Sequence, residues 1–209
     1  MVNTPSFVPM RPDLNLIQSL IPAGSRVMDI GCGDGQLLEQ LKIARNLDAR
    51  GMELSQKNVS ACVARGLSVV QGDADSDLAF YPDQSFDYAI MTETLQATRN
   101  PRLVVEQLLR IAKHVIVSFP NFGHWSNRLY LLGMGQMPVT KQLSYAWYET
   151  PNIHFCTIAD FTEMCEAIGC RIERRIALNS SGQPITLGIH ALENLLGTQG
   201  LFVLTRKFR

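Results

Sequence analysis

RVMDIGCGDGQLLE, residues 26–39, is the stretch on which the reading of the whole chain turns. Val27, Met28 and Ile30 form a short apolar run of the kind a buried strand uses, and it ends at Gly31, Gly33 and Gly35. Beyond the glycines, Leu37, Leu38 and Leu41 fall at helical spacing, which predicts strand, glycine turn and helix in succession. Glycine at alternate positions leaves no β-carbon between backbone and ligand, so a flat or charged molecule can lie against the turn at the helix N-terminus. Such a turn is a nucleotide-type pocket.

Glu53 lies in the next apolar stretch, Ala49–Leu54, about 20 residues past the turn, where an acid can accept both hydroxyls of a ribose. A pyrophosphate-binding turn wants glycine at position 36, and the chain has Gln36 there, with acidic Asp34 inside the turn to repel phosphate. The expected ligand is therefore a nucleoside without phosphates and with a cationic centre, a description that S-adenosylmethionine fits. Asp29, two residues before the first glycine, is placed to serve its charged amino-acid end directly or through water. Asp73, in QGDADSD, is placed to accept the exocyclic amine of an adenine while Ala74 offers a backbone amide; the alternative is an acidic surface loop. Glu93, in MTETLQA, ends a strand at the carboxyl edge where open α/β sheets hold ligands, or else caps a helix. Asp34 can equally serve the helix N-terminus by its charge.

Around this stretch, 209 residues with 46% hydrophobic and 18% charged content can bury one full core with a modest insertion. The formal net charge is zero, so no long-range field steers the chain to nucleic acid or an anionic membrane. Cys32, Cys62, Cys156, Cys165 and Cys170 contain no C-x-x-C pair, and their odd number argues against a disulfide framework and a cysteine zinc cluster. They read as reduced and cytoplasmic. No basic-then-apolar leader and no run long enough to cross a bilayer is visible.

Residues 1–12 carry three prolines and read as a loose leader, with 13–209 as one domain. Asp13 reads as the N-cap of a short helix, Leu14–Leu20. The pattern then alternates: helix Gln56–Arg65, strands Leu67–Gln71 and Phe86–Thr92, helix Pro101–Ala112 and strand His114–Phe119. Strands alternating with helices predict a doubly wound, mostly parallel α/β sheet. A helix capped by Thr157 or Asp160, a strand Arg171–Leu178, a short helix Ile189–Leu196 and a last strand Leu201–Arg206 would complete seven strands.

After the fifth strand, residues 119–158 hold Phe119, Phe122, Trp125, Tyr130, Tyr145, Trp147, Tyr148 and Phe155, broken by Gly and Pro. An insertion of about 122–156 so rich in aromatics suits a lid over a substrate, a docking surface, or a loop packed on itself. Trp125, Trp147 and Tyr148 are the candidate partner-binding residues. His124 and His154 lack an acid at a spacing that would identify a catalytic base, and each reads as structural. His154 and Cys156 alternate along one strand face, but two ligands do not make a zinc site.

DIGCGDGQLL, the acid of GMELS and the acid of QGDAD together resemble the class I S-adenosylmethionine-dependent methyltransferases, with their Rossmann-like fold, over residues 26–121. More narrowly, MRPDL at 10–14, TETLQA at 92–97, SFPNFGHW at 118–125 and MPVTKQLSYAWYETPNIHFCTIADF at 137–161 resemble the methionine biosynthesis protein family MetW. The resemblance implies that Asp29, Gly31, Gly33, Gly35, Glu53, Asp73 and Ala74 hold S-adenosylmethionine or S-adenosylhomocysteine, with Cys32, Leu54 and Glu93 counted beside them. It implies a partner, a homoserine O-acyltransferase (acetyl- or succinyltransferase), whose activity the family supports, and it brings no catalytic residue. The other function consistent with the fold is a methyltransferase acting on a small metabolite, with the insertion as its lid and a deep substrate cavity beside the pocket.

Overall fold

The structure, a computed structural model, describes residues 12–45, 47–140, 143 and 145–207. The expected leader lies outside these residues except for Pro12, as do Met10 and Arg11 of the MRPDL motif and Lys141, Gln142 and Ser144 of the insertion. The glycine-turn strand becomes β1 (Arg26–Ile30), paired in parallel with β2 (Asp48–Glu53) on one side and β4 (Phe86–Thr92) on the other. β3 (Ser68–Gln71) extends the sheet beyond β2, and β5 (Ala112–Pro120) beyond β4, both in parallel. β6 (Cys170–Leu178) and β8 (Gln199–Arg206) are antiparallel, with β8 inserted between β5 and β6. The order is β3-β2-β1-β4-β5-β8-β6-β7, so chain direction across the sheet reverses between β1 and β4. In an open α/β sheet that reversal opens a crevice at the carboxyl ends of the strands.

Among the described residues the sheet has eight strands where seven were expected. The eighth, β7 (Pro184–Ile185), is a two-residue hairpin partner of β6, with Leu178 opposite Pro184. Asn179 sets the turn: its Oδ1 accepts from the backbone N–H of Ser181 and of Gln183, and Gly182 takes a φ of 70°. A two-residue strand beginning with proline has no periodicity to detect.

β1, β4, β5 and β8 are buried over most of their length because both faces of the sheet are covered there. One face carries Met28, Ala89, Met91, Val115, Val117 and Phe119 against α4 (Pro101–Ile111) and α6 (Ile158–Ala167). There Phe119, Phe161 and Phe202 pack with ring centroids 4.6–5.9 Å apart. The other face carries Val27, Ile90 and Ile116 against α1 (Pro12–Leu20) and α2 (Gln36–Arg45), through Leu14, Ile17, Leu37 and Leu41. Each such fully buried aliphatic contributes about 1.5–3 kcal/mol, so α1 is anchored by its apolar side.

Three local expectations are corrected. α1 begins at Pro12, so Asp13 lies in the first helical turn rather than at the N-cap, and it is buried. β5 begins at Ala112 directly where α4 ends. The insertion contains a helix, α5 (Trp125–Met134), that the sequence reading missed because Gly133 and Gly135 mask its end. Thr157 and Asp160 share the capping of α6: the Thr157 side chain accepts from the Asp160 N–H, and the Asp160 carboxylate accepts from the Thr157 N–H. α3 (Gln56–Ala64) and α7 (His190–Leu196) end within one residue of their expected bounds.

Candidate functional site

Gly31 and Gly33 both take left-handed backbone, with φ of 72° and 56°, for different reasons. A β-carbon at Gly31 would run into the side chain of Thr94, which arrives from the end of β4. At Gly33 a β-carbon would meet nothing within 4 Å, so this glycine faces open space where a ligand can approach the backbone. The N–H groups of Gly31 and Cys32 donate to the Met52 carbonyl at 2.8 and 3.2 Å, Gly33 N–H to Glu53 Oε2 at 2.9 Å, and Gln36 N–H to Asp34 Oδ1 at 3.2 Å. These donors are directed at the protein itself instead of forming an anion-binding nest, in keeping with a ligand that carries no phosphate. Asp34 thus has the helix-start role left open for it.

Glu53 is buried at the end of β2, and its Oε1 also accepts from Ser55 N–H at 2.9 Å and Asn58 Nδ2 at 3.4 Å. A carboxylate has about four acceptor positions, so three bonds leave about one for a ribose hydroxyl rather than the pair expected. Asp29 lies beneath the turn, 1% exposed. Cys32 turns its side chain away into a core cluster with Leu38, Cys62 and Leu67, and burial pushes its thiol up. Leu54 is largely exposed beside Glu53.

The acidic loop after β3 is a built structure. Asp73 Oδ1 accepts from Asp75 N–H at 2.9 Å, Asp77 Oδ2 accepts from Asp73 N–H at 2.9 Å, and Asp75 accepts from the N–H groups of Arg99 and Asn100. The bonds from Asp73 and Ser76 hold the Asp77 carboxyl below its usual value. Arg99 Nη2 stands 3.7 Å from Asp73 Oδ2, and Ala74 packs on the core. Loop, glycine turn and Glu53 meet along the carboxyl ends of β1, β2 and β3.

Glu93 does not cap the turn that follows it; Thr94 occupies that position. It is a non-glycine residue with φ 54°, its N–H donating to the Ser118 carbonyl at 2.8 Å. Its Oε1 lies 3.3 Å from Gln199 Nε2, and the same nitrogen lies 3.1 Å from Asp13 Oδ2. These three side chains border a cavity of about 500 Å³ walled by Phe122, Trp147 and Phe155 of the insertion. Of the expected ligand-holding residues, only Glu93 lines it; the cradle of Gly33 and Glu53 stands apart.

Two buried amides that sequence reasoning missed tie the insertion to the sheet. Asn121 Nδ2 donates to the carbonyls of Asn194 and Gly197 at 2.7 Å each, and its Oδ1 accepts from the N–H groups of Gly123 and Ile158. Gln96 accepts at its backbone carbonyl from Ile153 and His154 N–H, and its Nε2 donates to Pro120 O and Cys156 Sγ at 3.3 Å. Their signal was present in SFPNFGHW and TETLQA, in which Asn121 and Gln96 had been given no task. His124 caps α5, its Nδ1 accepting from Ser126 N–H, and burial lowers its pKa. His154 Nε2 lies 3.3 Å from the Arg99 carbonyl. Burial pushes the Cys156 thiol up to about 11, so it is neutral near pH 7. Among the described residues no group of three or more His, Cys, Asp or Glu could hold a metal ion.

The family described as methionine biosynthesis protein MetW matches residues 11–204. The chain belongs to the MetW family. It is 33% identical over 181 residues to the bifunctional methionine biosynthesis protein MetXA/MetW of Rhodopirellula baltica, covering 82% of this chain and 29% of that protein. It is 32% identical to a ubiquinone biosynthesis O-methyltransferase of Ralstonia nicotianae, over 58% of this chain and 53% of that one. The chain thus spans less than two thirds of either relative. Among solved structures, an S-adenosylmethionine-dependent methyltransferase from Mesorhizobium loti superposes with TM-score 0.68 at 17% identity, covering 94% of this chain and 98% of that one. The cyclase SpnF superposes at 0.67 and 17% identity, covering 94% and 81%. This MetW chain therefore has the Rossmann-like class I methyltransferase fold, a fold that also serves chemistry other than methyl transfer.

Proposed function

We propose that this protein is a methionine biosynthesis accessory protein that binds S-adenosylmethionine or S-adenosylhomocysteine and supports a homoserine O-acyltransferase. The observation that carries the reading is the Rhodopirellula relative, whose name joins MetXA and MetW in one bifunctional chain. In the cradle, the Glu53 carboxylate would accept from a ribose hydroxyl, Gly33 would let the nucleoside lie against the backbone, Asp73 and Ala74 would meet the adenine, and Asp29 would face the amino-acid end. Leu54 would lie beside the ribose, Cys32 would contribute its backbone alone, and Glu93 would stand at the border of the separate cavity. When bound, S-adenosylmethionine supplies a methyl group on a cationic sulfonium. We place the protein in the cytoplasm; among the described residues no helix is long and apolar enough to cross a membrane.

The docking face we assign is α5. Asn127 is the only residue of α5 that is buried, while Trp125, Leu129 and Leu132 share one side at helical spacing, Leu132 being 82% exposed. A contiguous apolar helix face of this kind suits a protein partner, with Trp125 as the anchor type and Trp147 and Tyr148 nearby in sequence. The test is the rate of homoserine acylation by the acyltransferase of the same organism with and without this protein. A clear rise is expected. No change, with no complex on a sizing column, would overturn the accessory reading.

The cavity that Glu93 borders favours a second reading, a methyltransferase for a small metabolite with the insertion as lid. Methyl transfer needs chiefly alignment of acceptor and sulfonium, so the lack of an assigned base does not oppose it. Transfer of radiolabelled methyl groups from S-adenosylmethionine to extracted small molecules would establish it.

A further inference from the structure

Residues 94–100, between β4 and α4, touch the cradle on one side and the insertion on the other. On the cradle side, Thr94 packs so closely on the glycine turn that a β-carbon at Gly31 would fall 2.4 Å from its Cγ2 and Oγ1. Further along, the Asp75 carboxylate of the acidic loop accepts from Arg99 N–H at 2.9 Å and from Asn100 N–H at 3.0 Å. On the insertion side, the Gln96 carbonyl accepts from the N–H groups of Ile153 and His154 at 2.9 and 3.0 Å, and His154 Nε2 lies 3.3 Å from the Arg99 carbonyl. Asn152 and Phe155, which flank that pair, line the cavity. One short segment thus carries both sites. It is also under constraint: Glu93, just before it, holds left-handed backbone at φ 54°, and Gln96 is 2% exposed with an Oε1 that no described donor reaches. Backbone of that kind costs about 1–3 kcal/mol and persists only where its surroundings over-determine it, so loosening either side frees the segment. A ligand that orders one side spares the other part of its ordering cost, which couples the two without a large movement.

We propose that residues 94–100 couple the two sites, so that a nucleoside held on the glycine turn and the acidic loop stiffens residues 152–155 at the cavity wall. The proposal rests on the nucleoside reading for its ligand but not for the coupling, so the experiment has one arm without any nucleoside. Amide hydrogen exchange of the full chain is followed by NMR in wild type, Asp75→Ala and Asp75→Asn. Without nucleoside, Asp75→Ala should speed exchange of the Ile153 and His154 amides about twofold or more, the lower end of coupling through packed networks. The amides of β6 and β8 should keep their rates. Asp75→Asn retains one acceptor oxygen, should fall between, and decides this arm if the alanine variant does not fold. In the second arm, S-adenosylhomocysteine is added to saturation, with binding followed by calorimetry. It should slow the same two amides about twofold or more in wild type, and less in Asp75→Ala. Unchanged rates at Ile153 and His154 in the first arm, or a speeding shared by β6 and β8, would overturn the coupling. So would S-adenosylhomocysteine that binds wild type without slowing the two amides, or that slows them equally in Asp75→Ala. If none binds, the nucleoside reading falls and the first arm alone decides the coupling.

Discussion

The glycine cradle and the aromatic insertion face the same edge of the sheet but are built in opposite ways. In the cradle, bonds between residues close in sequence or on adjacent strands fix the backbone: Gly31 and Cys32 to Met52, Gly33 to Glu53, Gln36 to Asp34. The insertion instead hangs from a few long-range tethers, chiefly Asn121 and Gln96, and leaves Trp147, Tyr148 and Leu132 largely in solvent. A rigid backbone cradle suits a fixed ligand. A tethered apolar segment suits something that arrives and leaves, a partner or a substrate.

The largest expected effect tests the tethers. Asn121→Ala would leave the carbonyls of Asn194 and Gly197 and the N–H groups of Gly123 and Ile158 without their Asn121 partner, the last three in a buried setting and the first in a part-buried one. Loss of about 3 kcal/mol or more in urea unfolding is expected. A loss under about 1 kcal/mol would mean that the insertion is held by its apolar contacts, and the contrast with the cradle would weaken.

Next comes the cradle. Glu53→Ala should lower S-adenosylhomocysteine affinity by about 1.5–3 kcal/mol, because it removes the proposed charge-assisted bond to the ribose and releases Gly33 N–H. An unchanged dissociation constant would reject this placement of the ribose. For the docking face, Trp125→Ala and Leu132→Asp should each leave thermal stability nearly unchanged. Each should weaken the complex with the acyltransferase by about 2 kcal/mol in a binding titration. If neither does, the interface lies elsewhere.

How much of this was legible follows the same division. Strand, turn and helix at residues 26–45 lie within one stretch, where periodicity and glycine spacing report directly on geometry, and Glu53 follows at a spacing the fold dictates. Asp13 was misplaced as a cap because its partner Gln199 lies 186 residues away, beyond the reach of any local pattern. Asn121 was passed over for the same reason, since Gly197 is 76 residues on. α5 went unseen because its apolar residues face solvent and its glycines resemble a loop. Burial of polar side chains against distant backbone leaves no periodic trace; the family motifs carried those residues without explaining them.

The smallest effect concerns the opposite edge of the sheet and should touch neither region. Asp87, near the start of β4, accepts from Lys113 Nζ at 2.9 Å and from Arg26 N–H at 2.9 Å, bonds that hold its carboxyl below the ordinary 3.8. A carboxyl lower in the folded than in the unfolded state releases its proton earlier on folding, so its stabilisation is complete above pH 3.8. It fades as acid carries the pH through the lower folded-state value. The unfolding free energies of wild type and Asp87→Asn should therefore differ at pH 6 and converge as the pH falls below 3.8. Ligand affinity in the cradle at pH 7 should be the same in both, because Asp87 joins β4 to its neighbours at the end of the strand remote from Glu93. A change in that affinity would show that the two edges of the sheet are coupled, and the cradle could no longer be treated as a locally determined site.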